Sequence, residues 1–212
     1  MNFLKIKLLV IAVIMFAASS AFASLSYEVT VNTSSLAGDS AYLYFNYATQ
    51  LGSTVASTAT VSGFTTNGVL GAQDTVDVVN GTAVTGTLPG NVVFANTHAI
   101  NDYEQAITLG QSLSFLVTFA STTSSANPSA ASGLILGIFA DQYGSTPLFN
   151  TNPADPNNAG TVATVALYNN GNTVGTSLDP SANVSPTPIP GALYLLGSGL
   201  MGLVGMRRKK QN

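Results

Sequence analysis

Between Lys7 and Arg207 the chain contains no lysine and no arginine. The six basic residues are Lys5 and Lys7 near one end and Arg207, Arg208, Lys209 and Lys210 at the other, whereas the nine acidic residues all fall from Glu28 to Asp179. Any fold built in that interval has no side-chain ion pair to draw on, a protonated His98 apart. It must rest on apolar packing and hydrogen bonds. The overall charge of −3 hides a central region with nine carboxylates and no cation, near −9. Nucleic-acid and phosphate binding need cations to neutralise phosphate, so neither is expected here. Lysine Schiff bases, arginine clamps and lysine isopeptide links fall for the same reason. Cysteine and tryptophan are both absent, which removes disulfides, thiolate metal sites and cysteine nucleophiles. Only 7% of residues are charged, against about 25% in typical soluble domains, a composition unlike that of cytosolic proteins.

With charge excluded as an organiser, hydrophobic periodicity carries the fold. Leu25, Tyr27, Val29 and Val31 alternate with polar residues, as do Leu113, Phe115, Val117 and Phe119, with Leu116 as the exception. A period of two marks a half-buried strand. Further strands are predicted over 41–47, 55–64, 74–79, 82–88, 91–95, 103–109, 134–141 and 161–168. Between them stand Asn67-Gly68, Asn80-Gly81, Pro89-Gly90 and Asn170-Gly171, pairs that enter tight turns at little conformational cost. Asn80-Gly81 has the form of a two-residue hairpin loop. No internal stretch holds helical spacing over ten residues. Many short strands at spacings near ten residues predict an all-β domain over 24–184, an antiparallel β-sandwich of jelly-roll-like type. Two polar stretches, 121–132 and 150–160, are too long for hairpin turns, and long loops on a rigid sheet are where binding usually resides.

The ends read differently. Residues 1–23 form a secretory leader: Lys5 and Lys7, an apolar run from 8 to 16, and a small-x-small site at Ala21 and Ala23, with Ser24 as the mature N-terminus. Export through the Sec machinery and cleavage by signal peptidase follow. At the other end, 185–212 opens on Ser185-Pro186-Thr187-Pro188-Ile189-Pro190, where each proline restricts itself and its predecessor to extended geometry. This predicts a stiff stalk. Residues 189–206 are uncharged and would span roughly 27 Å as a helix, close to the hydrocarbon thickness of a bilayer. Pro190 falls in the first turn, where its missing N–H costs nothing. Gly197, Ser198, Gly199 and Gly202 provide the small residues that let a second helix approach. Arg207, Arg208, Lys209 and Lys210 then form a positive stop that stays cytoplasmic. One C-terminal transmembrane helix is therefore expected.

The run from Pro188 to Arg208 resembles the PEP-CTERM sorting signal that exosortases read in Gram-negative bacteria. The proline pair, the early aromatic Tyr194, the Leu195-Leu196-Gly197-Ser198-Gly199 core and the arginine cluster all agree in order and spacing; Ile189 stands where the signal's glutamate is usual. The resemblance implies cleavage near Pro188, Ile189 and Pro190 by an exosortase-like membrane protease or transpeptidase. An inner-membrane-anchored precursor would then move to the cell surface or the extracellular polysaccharide matrix. More loosely, Asn101-Asp102-Tyr103 ahead of Leu113-Ser114-Phe115 resembles a group of uncharacterised β proteins bearing that tag, which brings no known activity.

Within the central domain the chemistry-bearing residues are few. Asp102 and Glu104, two apart on a strand, place both carboxylates on one face with Cα atoms about 6.5 to 7 Å apart, a separation suited to a glycosidase pair. An acidic pair on a strand is more often a solvated face. His98 invites a hydrolase triad with Asp102 and a serine, but no spacing supports one, and a hydrogen-bonded surface histidine is the plainer reading. Hard cations prefer oxygen ligands, which makes Asp155 and Asn157 one candidate calcium cluster and Asp74 and Asp77 another. Neither has the EF-hand spacing. Calcium would be structural, and no other cofactor is expected. Tyr42 and Tyr44 share one face of their strand and offer rings to a sugar, leaving Leu43, Phe45 and Tyr47 for the core. Together with what the sorting-signal resemblance implies, this leads to the expectation of a non-enzymatic surface or matrix protein with a structural or adhesive role, associated with exopolysaccharide or biofilm. A carbohydrate-binding module is the alternative, and a secreted glycan hydrolase using Asp102 and Glu104 comes third.

Overall fold

A computed structural model describes residues 26–49, 56–74, 83–98, 101–121, 130–150 and 156–187. Their strands are β1 (Ser26–Asn32), β2 (Ser40–Thr49), β3 (Ser57–Thr66), β4 (Val69–Asp74), β5 (Val84–Gly86), β6 (Val92–Ala95), β7 (Asp102–Thr108), β8 (Ser112–Ser121), β9 (Ala130–Phe139), β10 (Thr161–Tyr168), β11 (Thr173–Ser177) and β12 (Ala182–Thr187). They form two six-stranded sheets, ordered β12-β1-β8-β3-β6-β5 and β11-β10-β9-β2-β7-β4, with antiparallel neighbours throughout. The expected all-β class and sandwich-like layering are observed. Among the described residues no helix is long and apolar enough to cross a membrane. The span expected over 189–206 lies outside them, as do the leader with Ala21, Ala23 and Ser24, the prolines Pro188 and Pro190 with Ile189, and the basic stop.

Alternation builds the core. Val29 and Val31 of β1, Leu113, Phe115 and Val117 of β8, and Ala59 and Val61 of β3 point inward from the first sheet. From the second come Leu43, Phe45 and Tyr47 of β2, Tyr103 and Ile107 of β7, and Leu134, Leu136 and Ile138 of β9. The two sets join in one buried cluster. Phe45 locks them together: its ring meets Phe94 of β6 at 6.4 Å and Phe115 at 5.3 Å across the sandwich, and Tyr103 at 6.2 Å on its own sheet. With no ion pairs to order the interior, hydrogen bonds between side chains tie the strands together there. The Tyr47 hydroxyl bonds Ser57 at 2.7 Å, and the Asn96 amide donates to Ser132 at 3.2 Å. Burial pushes the Tyr47 phenol up, against the Ser57 and Ser132 hydrogen bonds that pull it down.

The turn signals meet different fates. Asn170-Gly171 joins β10 to its partner β11 as a hairpin, and Pro89-Gly90 lies in the connection between paired β5 and β6. Asn67-Gly68 instead passes from β3 in one sheet to β4 in the other. There the Asn67 side-chain carbonyl accepts the N–H groups of Gln111 at 2.7 Å and Ser112 at 3.1 Å. Asn80-Gly81 lies outside the described residues.

The last strand departs from the expected stalk. Ser185, Pro186 and Thr187 belong to β12 and pair with Glu28, Tyr27 and Ser26. Proline is tolerated there because β12 is the outermost strand of its sheet, where a missing donor breaks no ladder. Ser26 and Thr187 are direct partners, tied by a 2.9 Å bond from the Thr187 hydroxyl to the Ser26 carbonyl. The two ends of the domain therefore emerge side by side. The register of the other strands puts Ser57, Ser121 and Ala95 at that same end, and the turns after Asn32, Thr66, Thr108 and Phe139 at the opposite one.

Candidate functional site

The outward face of the second sheet collects the residues singled out in the sequence. Tyr42, Tyr44 and Asn46 alternate outward along β2, and Asp102 and Glu104 do so along β7. Antiparallel register sets Tyr44 opposite Glu104 and Asn46 opposite Asp102. The carbohydrate and hydrolase candidates thus occupy one surface. Each is committed there to its neighbours. The Asn46 amide donates to an Asp102 carboxylate oxygen. Glu104 is only 4% exposed.

On the far side of β2, β9 contributes Phe139, whose partner is Tyr42. Its ring stands edge-on to Tyr44 with centroids 5.7 Å apart, the arrangement that aligns a positive ring edge with a negative face. Room for the Phe139 ring comes from glycine. A Cβ on Gly137 or Gly160 would collide with it, and Gly160 also sits at φ +81°, a left-handed backbone that glycine adopts freely. Tyr42, Tyr44 and Phe139 together make a partly exposed aromatic strip running toward the end of the sandwich opposite the paired Ser26 and Thr187.

Beyond Phe139 the chain turns through 140–146 and comes back as a short bridge at Pro147. Asp141 makes this turn rigid. Its carboxylate accepts the N–H groups of Tyr143 at 2.9 Å, Ser145 at 3.1 Å and Thr146 at 2.6 Å, while Ala140 N–H reaches the Thr146 carbonyl at 2.8 Å. The Ser145 bond foremost, with those of Thr146 and Tyr143, holds the Asp141 carboxyl below the usual carboxylate range. Gly144 closes the turn at φ +64°, its backbone beside the Tyr44 and Phe139 rings. Tyr143 is left 74% exposed. Sequence reasoning placed 134–141 in a strand and missed this turn, though aspartate followed three residues later by glycine is a turn signature.

Asp179 performs the same service for the neighbouring segment. It accepts from Asn150 N–H at 2.7 Å, Ser181 N–H at 2.9 Å and the Ser181 hydroxyl at 2.6 Å. Partial burial raises its pKa, but the Ser181 and Asn150 bonds outweigh that, and the net direction is down. A carboxyl whose native pKa lies below its unfolded value of about 3.9 stabilises the fold fully above that value. The contribution disappears as pH falls through the native pKa. Asp179→Asn should therefore flatten the acid limb of a plot of Tm against pH below about pH 4 and leave its shape above pH 6 unaltered. An acid limb identical to that of the parent would rule out this role.

The remaining candidates resolve into structure. Asn101 donates its amide to the Tyr47 carbonyl at 2.8 Å and the His98 carbonyl at 3.1 Å, clamping the end of β2. The Tyr103 hydroxyl accepts the Leu88 N–H at 2.9 Å and donates to Gln105 within the core. The Asn101-Asp102-Tyr103 motif is thus largely a packing device. His98 is half-buried, and its ring bonds the Thr97 hydroxyl at 3.1 Å. Among the described residues no group of three or more His, Cys, Asp or Glu is placed to hold a metal. Of the calcium candidates, Asp77 and Asp155 lie outside those residues. Asp74 ends β4 as the register partner of Glu104, and Asn157 lies in the short 3-10 helix Pro156–Asn158. No protein-family model, curated protein or solved structure matches the chain.

Proposed function

We propose that this chain is an exported cell-surface or extracellular-matrix protein with a structural or adhesive role, non-enzymatic and associated with exopolysaccharide. In this reading the Sec machinery and signal peptidase act on residues 1–23, the helix over 189–206 holds the precursor in the inner membrane, and an exosortase-like enzyme acts near Pro188 and Pro190. The observation that carries it is the pairing of Ser26 with Thr187. The first and last paired residues of the domain lie side by side, and the last of them immediately precedes Pro188. A protease takes an extended, unpaired chain, so a cut just beyond β12 releases the domain with its sheet whole.

The finer architecture is read as jelly-roll-like. Strands β1 to β4 alternate between the sheets, and β1 pairs with β8, β2 with β7 and β3 with β6, the course of two folded-over Greek keys.

Charge segregation supplies the test. Protein recovered from the cell exterior should survive trypsin even when fully denatured, because Lys and Arg are confined to positions 5–7 and 207–210. Its intact mass should correspond to Ser24 at one terminus and a residue before Arg207 at the other. Internal tryptic fragments, or a full-length product found in the cytosol, refute the reading.

The alternative, carbohydrate binding, is favoured by one specific observation: Tyr42, Tyr44 and Phe139 form a half-exposed aromatic strip on one face. The hydrolase reading gains less from the geometry, since Asp102 holds Asn46 and Glu104 is buried.

A further inference from the structure

Tyr143 is the most exposed large apolar side chain among the described residues, and it differs from the others in how it is held. Val69 and Val174 lie on outermost strands and Leu116 in the middle of a sheet face. Tyr143 stands on a turn whose backbone is fixed by three N–H bonds to Asp141 and one from Ala140 to Thr146. A ring presented on a rigid turn loses little conformational freedom on binding. Around it are Gln142, Ser145 and Thr146, polar and at least partly exposed. A single ring on an exposed, polar turn is a poor protein hot spot, which calls for a dry apolar surround. It is a good partner for the C–H face of a pyranose, with amide and hydroxyl groups beside it for the sugar hydroxyls.

Position and charge narrow the ligand. The turn follows Phe139, at the end of the sandwich opposite the paired Ser26 and Thr187. The described side chains include six carboxylates, those of Glu28, Asp39, Asp102, Glu104, Asp141 and Asp179, and no lysine or arginine. An anionic polymer meets repulsion with nothing to offset it. We propose that the Asp141 turn is a glycan-contact site in which the Tyr143 ring stacks on a sugar of a neutral polysaccharide. This rests on the surface-protein reading for access to a glycan but is tested apart from it.

The test uses the full chain in a detergent without a sugar headgroup, run by affinity electrophoresis in gels containing dextran, mannan or cellohexaose, with alginate as the acidic comparison. The expected result is retardation by at least one neutral glycan and none by alginate. Tyr143→Ala should weaken that retardation about tenfold, the effect of removing one central aromatic contact. Tyr143→Phe, which keeps the ring, and Leu116→Ala, on the other sheet, should stay within about twofold of the parent. Retardation by none of the neutral glycans, preference for alginate, or equal binding by Tyr143→Ala overturns the proposal. So does Tyr143-dependent self-association in sedimentation without glycan binding. Cell fractionation of the parent reads the sorting separately, so a chain that is sorted but binds no glycan sinks this inference alone.

Discussion

Phe45→Ala should destabilise the domain by about 3–5 kcal/mol, the range for deleting a large aromatic from a close-packed core. At about 2–4 °C per kcal/mol for a domain of this size, that lowers Tm by roughly 6–20 °C. Phe45 is 1% exposed and touches the rings of Phe94 and Phe115 on the facing sheet and Tyr103 on its own. Its removal costs the buried area and leaves a cavity at the place where the two sheets meet. No ion pair is available to take up the loss. Thermal unfolding followed by circular dichroism measures it. A shift under about 1 kcal/mol would mean that the sheets do not share this ring.

The second large effect concerns where the chain is cut. A chain ending at Thr187 should melt like the parent domain, and one ending at Ser181 should lose about 2–3 kcal/mol from the apolar surface that Val184 and Tyr27 bury together. Val184 is the register partner of Val29, and Gly175 packs so closely on Val184 and Tyr27 that a Cβ there would clash. Loss of β12 also bares the β1 ladder, an open edge that invites pairing with another chain. The shorter product should therefore aggregate on heating while the longer one refolds. Equal melting of the two truncations would show that β12 is dispensable and would remove the structural argument for cleavage beyond Thr187.

The same strand shows where sequence reading stops. The predicted strands that correspond to β1, β2, β3, β6, β7, β8, β9 and β10 were legible because sheet neighbours on both sides hold them over a buried core and make them rich in apolar residues. β4, β11 and β12 went unread, and all three are outermost strands. Gly71, Gly175 and Pro186 interrupt their pattern. An outermost strand makes one ladder and buries few side chains, so it tolerates residues that a central strand excludes. Of the candidate site, the shared face of Tyr42 and Tyr44 was legible because parity along a strand is a local property. That Asn46 meets Asp102, 56 residues away, or that Phe139 turns its ring on Tyr44, was not.

By itself the sequence determined three things: that this domain folds without ion pairs, that it is built of strands, and which residues of β1, β2 and β8 face inward. All three follow from composition and from a period of two, which are written in the order of residues. Tertiary structure alone decided the strand register, the edge position of β12 and the rigid display of Tyr143. Those depend on pairings between distant segments and on a carboxylate gathering the N–H groups of its own turn. Long-range contacts of that kind are chosen by the packing of the whole core rather than by any local pattern.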